Sequence, residues 1–358
     1  MITGPQLDLS KIKRVLVVRL RSIGDTVLIT PSLIALRRAL PNAKIDVLLE
    51  DWVAPVLDGF DQIDEVLSFN KSSKRSRFAV AREIRKREYD VAFNLHGGTT
   101  STFFVRVSGA KHRVGYGHYR YSFLYNHLLT SSADFWGRAV THSAEQHLAL
   151  IGSVGIPVDD RPKTRLDVTE SAAASLNSKF NIQDSASDSK SKIQNPKSKV
   201  ALLHPVAAFE TKELAVGKFA EIAEFLSTSG FEVVAVGAPN EREKVERLRS
   251  ICKVPILAFC DLSLPEITAL AARAGLFVGN DSGIAHIAAA VGCPSVVIFG
   301  SSNRDHWRPW TDVPHEIVFE PFDCQPCAGY RCEKFDSPRC IESVRVEAIV
   351  NAIKSLLG

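Results

Sequence analysis

Four short stretches carry side chains that could do chemistry. Asp25 closes Arg21-Ser22-Ile23-Gly24-Asp25, directly after an apolar run at 14–20. A carboxylate at a strand-to-helix turn suits a general base. It equally suits a helix N-cap, with Gly24 giving the turn its freedom. Thr211 and Lys212 end the loop that begins His204-Pro205, again after an apolar run, 200–204. They offer a hydroxyl and a cation to a phosphate. Glu241 and Glu243 follow Gly237-Ala238-Pro239-Asn240. Carboxylates there fit either a ribose diol or the positive end of a helix. The fourth stretch is Asn280-Asp281-Ser282-Gly283, between an apolar segment at 274–278 and a small-residue segment at 284–291. Ser282 and Gly283 can present backbone N–H groups to a diphosphate. Asp281 is a poor phosphate partner and suits sugar hydroxyls or a helix cap. His96, His204 and His286 lie close to these stretches, as supporting groups or as buried structural histidines.

Each stretch needs a strand before it and a helix after it. The run 14–20 suits a strand covered on both faces. Residues 26–40 carry helical spacing and end at Pro41-Asn42. Strands are expected at 44–49, 63–69 and 91–95, and a basic helix at about 78–87. Tyr116, Tyr119, Tyr121 and Tyr125 with His118 and His127 read as a sugar-facing rim or as loop packing. Later strands are expected at 200–204, 231–236, 274–278 and 295–299, the last taken as the end of the sheet. Helices should cover 216–228, 241–251, 264–274, 284–291 and 344–357. The alternation implies two doubly wound α/β halves. Function in such sheets gathers at the carboxyl ends of the strands, and a ligand would sit in the cleft between the halves. The stretch 177–199 breaks the pattern. Its middle, 183–192, has almost nothing to bury and reads as a mobile insertion or linker.

Bulk properties exclude several classes. A net charge of +4 on 358 residues does not call for nucleic acid as a partner. The charge is unevenly placed, however. Between Lys71 and Arg87 eight cations face the single acid Glu83, which reads as a solvated helix face or as a patch for an anionic acceptor or membrane. The N-terminus lacks the apolar core of a signal peptide. No apolar run reaches the ~18–20 residues of a membrane span. A cytoplasmic location is expected, with the inner face of the membrane within its reach. Cys324, Cys327, Cys332 and Cys340 read as free thiols or as a compressed structural metal site. No Gly-x-Gly-x-x-Gly follows the first strand, which argues against a nicotinamide dehydrogenase.

Taken together, Arg19-Leu20-Arg21-Ser22-Ile23-Gly24-Asp25, His96-Gly97-Gly98, Gly115-Tyr116, the 204–212 loop, Asp281-Ser282-Gly283-Ile284-Ala285-His286, Phe299-Gly300 and Trp307 resemble glycosyltransferase family 9, the ADP-heptose:lipopolysaccharide heptosyltransferases. The resemblance spans nearly the whole chain except 177–199. It implies a GT-B fold: an N-terminal Rossmann-like acceptor domain (1–176), a linker (177–199), a Rossmann-like nucleotide-sugar domain (200–340) and a closing helix (341–358), the two domains facing across a cleft. It further implies inverting, metal-independent transfer, with no cofactor, from a nucleotide-activated heptose, ADP-heptose being the expected donor. The implied acceptor is an anionic glycolipid. On that pattern Asp25 is the base. Thr211, Lys212, Ser282 and Gly283 hold the diphosphate, Asp281 meets the donor sugar, and Glu241 or Glu243 meets the ribose. The sequence departs from the pattern at Val206-Ala207-Ala208, at Glu213-Leu214-Ala215 and at Ser301. Two other readings remain at this stage: a sugar-nucleotide epimerase of the same fold, and a nucleotide- or glycan-binding protein without catalysis.

Overall fold

Apolar runs bounded by charge become central strands. The computed structural model describes residues 2–4, 6–180, 200–327 and 329–358. The stretch 183–192 lies outside the described residues. The packing divides the chain into two compact units, Met1–Asp167 and Val168–Gly358.

The first unit holds β1 (Ile2–Thr3), β2 (Arg14–Val18), β3 (Lys44–Glu50), β4 (Glu65–Phe69), β5 (Val91–Asn94), β6 (His112–Tyr116) and β7 (His127–Leu129). They form one sheet in the order β4-β3-β2-β5-β6-β7-β1, parallel except for β1 against β7. The second unit holds β8 (Val200–His204), β9 (Glu232–Val236), β10 (Leu257–Phe259), β11 (Leu276–Asn280), β12 (Ser295–Phe299) and β13 (His315–Phe319). Their order is β10-β9-β8-β11-β12-β13, all parallel. Both sheets therefore wind outward from a central pair, β2/β5 in one and β8/β11 in the other. The carboxyl ends of those pairs are the switch points where such sheets bind ligands. Strand β13 extends the second sheet beyond 295–299, the expected last strand. Its run His315–Phe319 is only partly buried, so it carries a weaker apolar signal than the strands before it.

One expected helix is broken. Residues 26–40 form not one helix but two, Ile23–Val27 and Thr30–Ala39. Pro31 is the cause: it has no N–H to return to the carbonyl four residues back, so it starts a helix rather than continuing one. Asp25 thus lies inside a short helix and not in an open turn.

The boundary between units also falls earlier than the composition suggests. Helix Glu170–Phe180 belongs to the second unit and packs on helix Leu264–Arg273. Leu176 is fully buried, Ser175 Oγ donates to Glu266 at 2.7 Å, and Phe180 stacks on Phe259 at 4.6 Å. Residues 177–180, read from composition as part of the insertion, are the last turn of that helix. At the other end, helix Val346–Leu357 places Ile349 and Ile353 one turn apart, both fully buried in the core of the second unit. Each contributes about 2–3 kcal/mol by area removed from water. No helix among the described residues is long and apolar enough to cross a membrane.

Candidate functional site

In the first unit the chain leaves β2 and turns at once into helix Ile23–Val27. Ser22 is its N-cap and Asp25 its third residue. The Ser22 N–H and hydroxyl donate to Asp25 Oδ2 at 3.2 and 3.1 Å. Arg19, at the end of the apolar run, is buried. It pairs with Asp25 Oδ1 and donates to the Leu95 carbonyl at the end of β5. One arginine therefore ties together the two strand ends at the switch point. Burial alone would raise the Asp25 pKa. Arg19, the Ser22 donors and His147 outweigh it and hold the carboxyl below its usual range. Asp25 is thus an oriented, ionised carboxylate at neutral pH, serving as part of a cap and still partly open to solvent.

His96 stands on the neighbouring turn. Asn94 Oδ1 accepts from the His96 and Gly97 N–H groups at 3.0 and 2.9 Å and folds the turn on itself. Gly97 has φ +80°, and a Cβ there would lie 2.6 Å from the Tyr119 ring. Tyr125 and Thr102 bond to one another at 2.8 Å behind it. The tyrosines at 119 and 125 thus pack the turn rather than line a rim. Burial, then Arg19, pushes His96 down to about 4, so its ring is neutral at pH 7. Its Nδ1 has no hydrogen-bond partner among the described residues.

In the second unit β11 ends at Asn280, Asp281 follows it, and Ser282 is the N-cap of helix Gly283–Ala290. The cap is therefore not Asp281. Nor does the Ser282 hydroxyl fold back on the helix; it meets His204 Nδ1 at 3.0 Å. With no side-chain cap, the first amides of the helix are left for an anion. Gly279 lets β8 and β11 close up here: a Cβ would lie 3.0 Å from the His204 carbonyl. Asp281 is buried and pairs with Lys212 Nζ at 2.8 Å, while Ser302 also donates to it. Asn280 Oδ1 accepts from the Leu214 N–H at 3.1 Å and so pins the lysine-bearing loop to the strand end.

Thr211 is 1% exposed. Its hydroxyl donates to the Gly329 carbonyl at 3.0 Å and accepts from Ser301 Oγ at 2.9 Å. In this arrangement it fastens the loop, and Lys212 presents the charge. Glu241 Oε2 accepts from the Ala238 N–H at 2.7 Å, capping its own turn at the end of β9. Glu243, two residues on in the first turn of helix Arg242–Ile251, is exposed. His286 is buried inside helix Gly283–Ala290.

A pH dependence arises from His204. Burial pushes it from 6.5 down to about 4. Below about pH 6.5 the unfolded chain takes up a proton that the native state refuses until about pH 4. Stability is thus complete above that window and falls as pH drops through it, by at most ~3 kcal/mol from this group. His204→Gln should flatten that part of a urea-midpoint profile. The same pH slope in the variant would exclude His204 as its source.

A carboxylate at one switch point, and a lysine beside an uncapped helix start at the other, suit transfer from an anionic leaving group. The sequence model of glycosyltransferase family 9 (heptosyltransferase) matches residues 77–335. The chain belongs to glycosyltransferase family 9. It is similar to lipopolysaccharide heptosyltransferase 3 of Escherichia coli, 28% identical over 304 residues covering 82% of this chain and 85% of that protein. In fold it is similar to the glycosyl transferase family 9 structure from Veillonella parvula DSM 2008, with TM-score 0.81, 20% identity and 98% and 99% of the two chains covered. It is also similar to E. coli heptosyltransferase WaaC with ADP-2-deoxy-2-fluoro heptose, with TM-score 0.70, 19% identity and 96% and 99% covered. The architecture is the GT-B type with Rossmann-like units, and the chain is a glycosyltransferase.

Where this family 9 enzyme departs from the family's sequence pattern, the departing residues have partners of their own. Glu213 accepts from the Ala207 N–H at 3.0 Å and from Lys244 at 2.6 Å. Ser301 supplies the bond to Thr211 already described. The four late cysteines form no disulfide and line one cavity of ≈ 860 Å³, with Thr211 and Ser301 on its wall. Burial and the three neighbouring thiols push Cys340 up. Among the described residues no group of three or more His, Cys, Asp or Glu is arranged to hold a metal.

Proposed function

We propose that this glycosyltransferase moves a heptose, or a closely related sugar, from ADP-heptose to a hydroxyl of a lipopolysaccharide-core-like glycolipid, with inversion, at the cytoplasmic face of the membrane. The observation that carries this reading is Lys212 beside the uncapped start of helix Gly283–Ala290. WaaC, similar in fold and solved with an ADP-linked fluoroheptose, supports the choice of donor.

The chemistry follows from the residues. The bond between the anomeric carbon and the diphosphate breaks, and its electron pair stays on a phosphate oxygen. Lys212 and the amides of Ser282 and Gly283 meet that charge. Asp281 both orients Lys212 and faces the donor sugar's hydroxyls. Glu241 or Glu243, after the end of β9, meets the ribose. The acceptor oxygen bonds to the anomeric carbon from the opposite face, and its proton passes to Asp25. A carboxylate held below its usual range is a weak base. Proton transfer to it becomes favourable only as the new bond forms and the hydroxyl turns acidic. The sugar carbon is oxocarbenium-like in between.

The test is a transfer assay with ADP-heptose and a heptose-deficient lipopolysaccharide core. ADP should be released only when acceptor is present, and the product anomer should be opposite to the donor's. Because lysine and helix amides supply the positive charge, EDTA should leave the rate unchanged. Epimerised donor formed without acceptor would replace this reading with an epimerase. Donor binding without any product would reduce the chain to a binding protein.

A further inference from the structure

The basic stretch after β4 forms helix Lys74–Lys86, capped by Ser73. Val80, Ala81 and Ile84 pack it onto the sheet. The other face shows Lys74, Phe78, Arg82 and Arg85, spaced by four, four and three residues along one stripe. Two kinds of cation separate here. Arg87 is consumed inside the unit, bonding Asp46, Glu65 and Glu83. Lys71, Lys74, Arg75, Arg82, Arg85 and Lys86 are exposed, and none forms an ion pair among the described residues. The nearby Asp46, Glu65 and Glu83 share one arginine, while the six unpaired cations remain exposed.

An aromatic ring stands in the middle of that stripe. Phe78 is 70% exposed. Trp52, on the turn after β3, is 49% exposed and held through Nε1 to Glu50 at 2.9 Å. Its turn is joined to the start of the basic stretch by Asn70 Nδ2 donating to Asp51 at 2.9 Å. Exposed Phe and Trp beside a row of cations make this face chemically unlike the rest of the charged surface. A bilayer interface favours both, with rings at the headgroup level and cations against anionic lipid.

Position adds to the case. The helix begins five residues after the carboxyl end of β4, so its cationic start lies at the edge of the sheet that carries Asp25 and His96. Lys71 is near enough to His96 for its charge to act on that ring.

We propose that the exposed face of helix Lys74–Lys86, with Lys71 and Trp52, docks the enzyme on an anionic membrane surface and brings the Asp25 edge to a lipid-held acceptor. This rests on the glycolipid-acceptor reading above for its purpose, but not for the binding itself.

The experiment is co-sedimentation of the full chain with phosphatidylcholine vesicles, with and without roughly 30% phosphatidylglycerol, at ~50 and ~500 mM salt. Binding should require the anionic lipid and be lost at high salt. Lys74→Gln with Arg82→Gln should weaken it about 25-fold, each cation contributing about fivefold. Phe78→Ser should weaken it while leaving its salt dependence in place. Equal binding to both vesicle types, no binding to either, or an undiminished double variant would overturn the proposal. ADP affinity, and transfer to detergent-dispersed acceptor, should be unchanged in these variants. Lost vesicle binding beside intact ADP binding therefore speaks only against the surface. Intact vesicle binding without ADP binding speaks only against the transferase reading.

Discussion

Asp25→Asn should keep its fold and its affinity for ADP while kcat falls by about 10³-fold, the middle of the range for loss of a general base. The amide has the size and shape of the carboxylate and can still accept from the Ser22 N–H, which lies 3.2 Å from Oδ2 in the wild type. What it cannot do is take a proton or neutralise Arg19. Arg19 keeps its bond to the Leu95 carbonyl but loses its counter-charge. A lower melting temperature is therefore expected, by an unfolding free energy of up to about 3 kcal/mol. Stability and turnover must be read separately. Asp25→Glu is the informative companion. It restores the charge and a displaced base, so it should recover stability and only part of the rate. The pH–rate profile gives the sharpest reading. Wild-type activity should fall on the acid side below the ordinary carboxylate range, because the native pKa is lowered. In the Asn variant that limb should vanish. Near-normal turnover in Asp25→Asn would remove Asp25 from the chemistry and leave it as a cap.

Lys212→Ala should weaken ADP binding by about 10–100-fold, the range for losing one charge-assisted hydrogen bond. It should also leave Asp281 buried without its cation, keeping only the Ser302 donor. Breaking one side of such a pair destabilises by about 3–5 kcal/mol when both groups are deeply buried. Lys212 is partly exposed, so a smaller loss is expected. The two consequences come apart in the double variant Lys212→Ala with Asp281→Asn. Removing the orphaned charge should return stability without returning ADP affinity. Calorimetric titration with ADP, alongside thermal unfolding, reads both. An ADP affinity unchanged by Lys212→Ala would mean that the lysine serves Asp281 and not the donor.

Much of this is legible in the residues alone. The stretches 15–18 and 200–203 read as buried strands, because nothing polar interrupts them. Strand β8 and helix Val216–Thr228 fall at the expected residues. Where expectation and structure part, a local rule was outweighed or silent. Hydrophobic spacing carried a helix straight through 26–40, and a single missing N–H at Pro31 cut it. β13 escaped because half-buried strands lack a continuous apolar run. In the sites, residue type pointed to Asp25, Lys212 and the Asp281-Ser282-Gly283 turn. It could not foretell Ser302, an ordinary serine whose role exists only because β12 ends beside β11. Asn280 and Asn94 escaped for the same reason: each pins a neighbouring turn through a side-chain carbonyl. Arg19 did leave a trace, since a cation ending an otherwise apolar strand needs a buried partner.

The division at Asp167 and Val168 has a consequence for genetics. Each unit has its own core and its own switch point, so damage should sort by address along the chain. Substitutions in the first segment that spare the core should surface as slow enzymes with ordinary donor saturation. Those in the second should surface as enzymes that need more donor yet turn over well once filled. A random library scored on both axes should split into two clouds, and the codon where one gives way to the other should fall near residue 168.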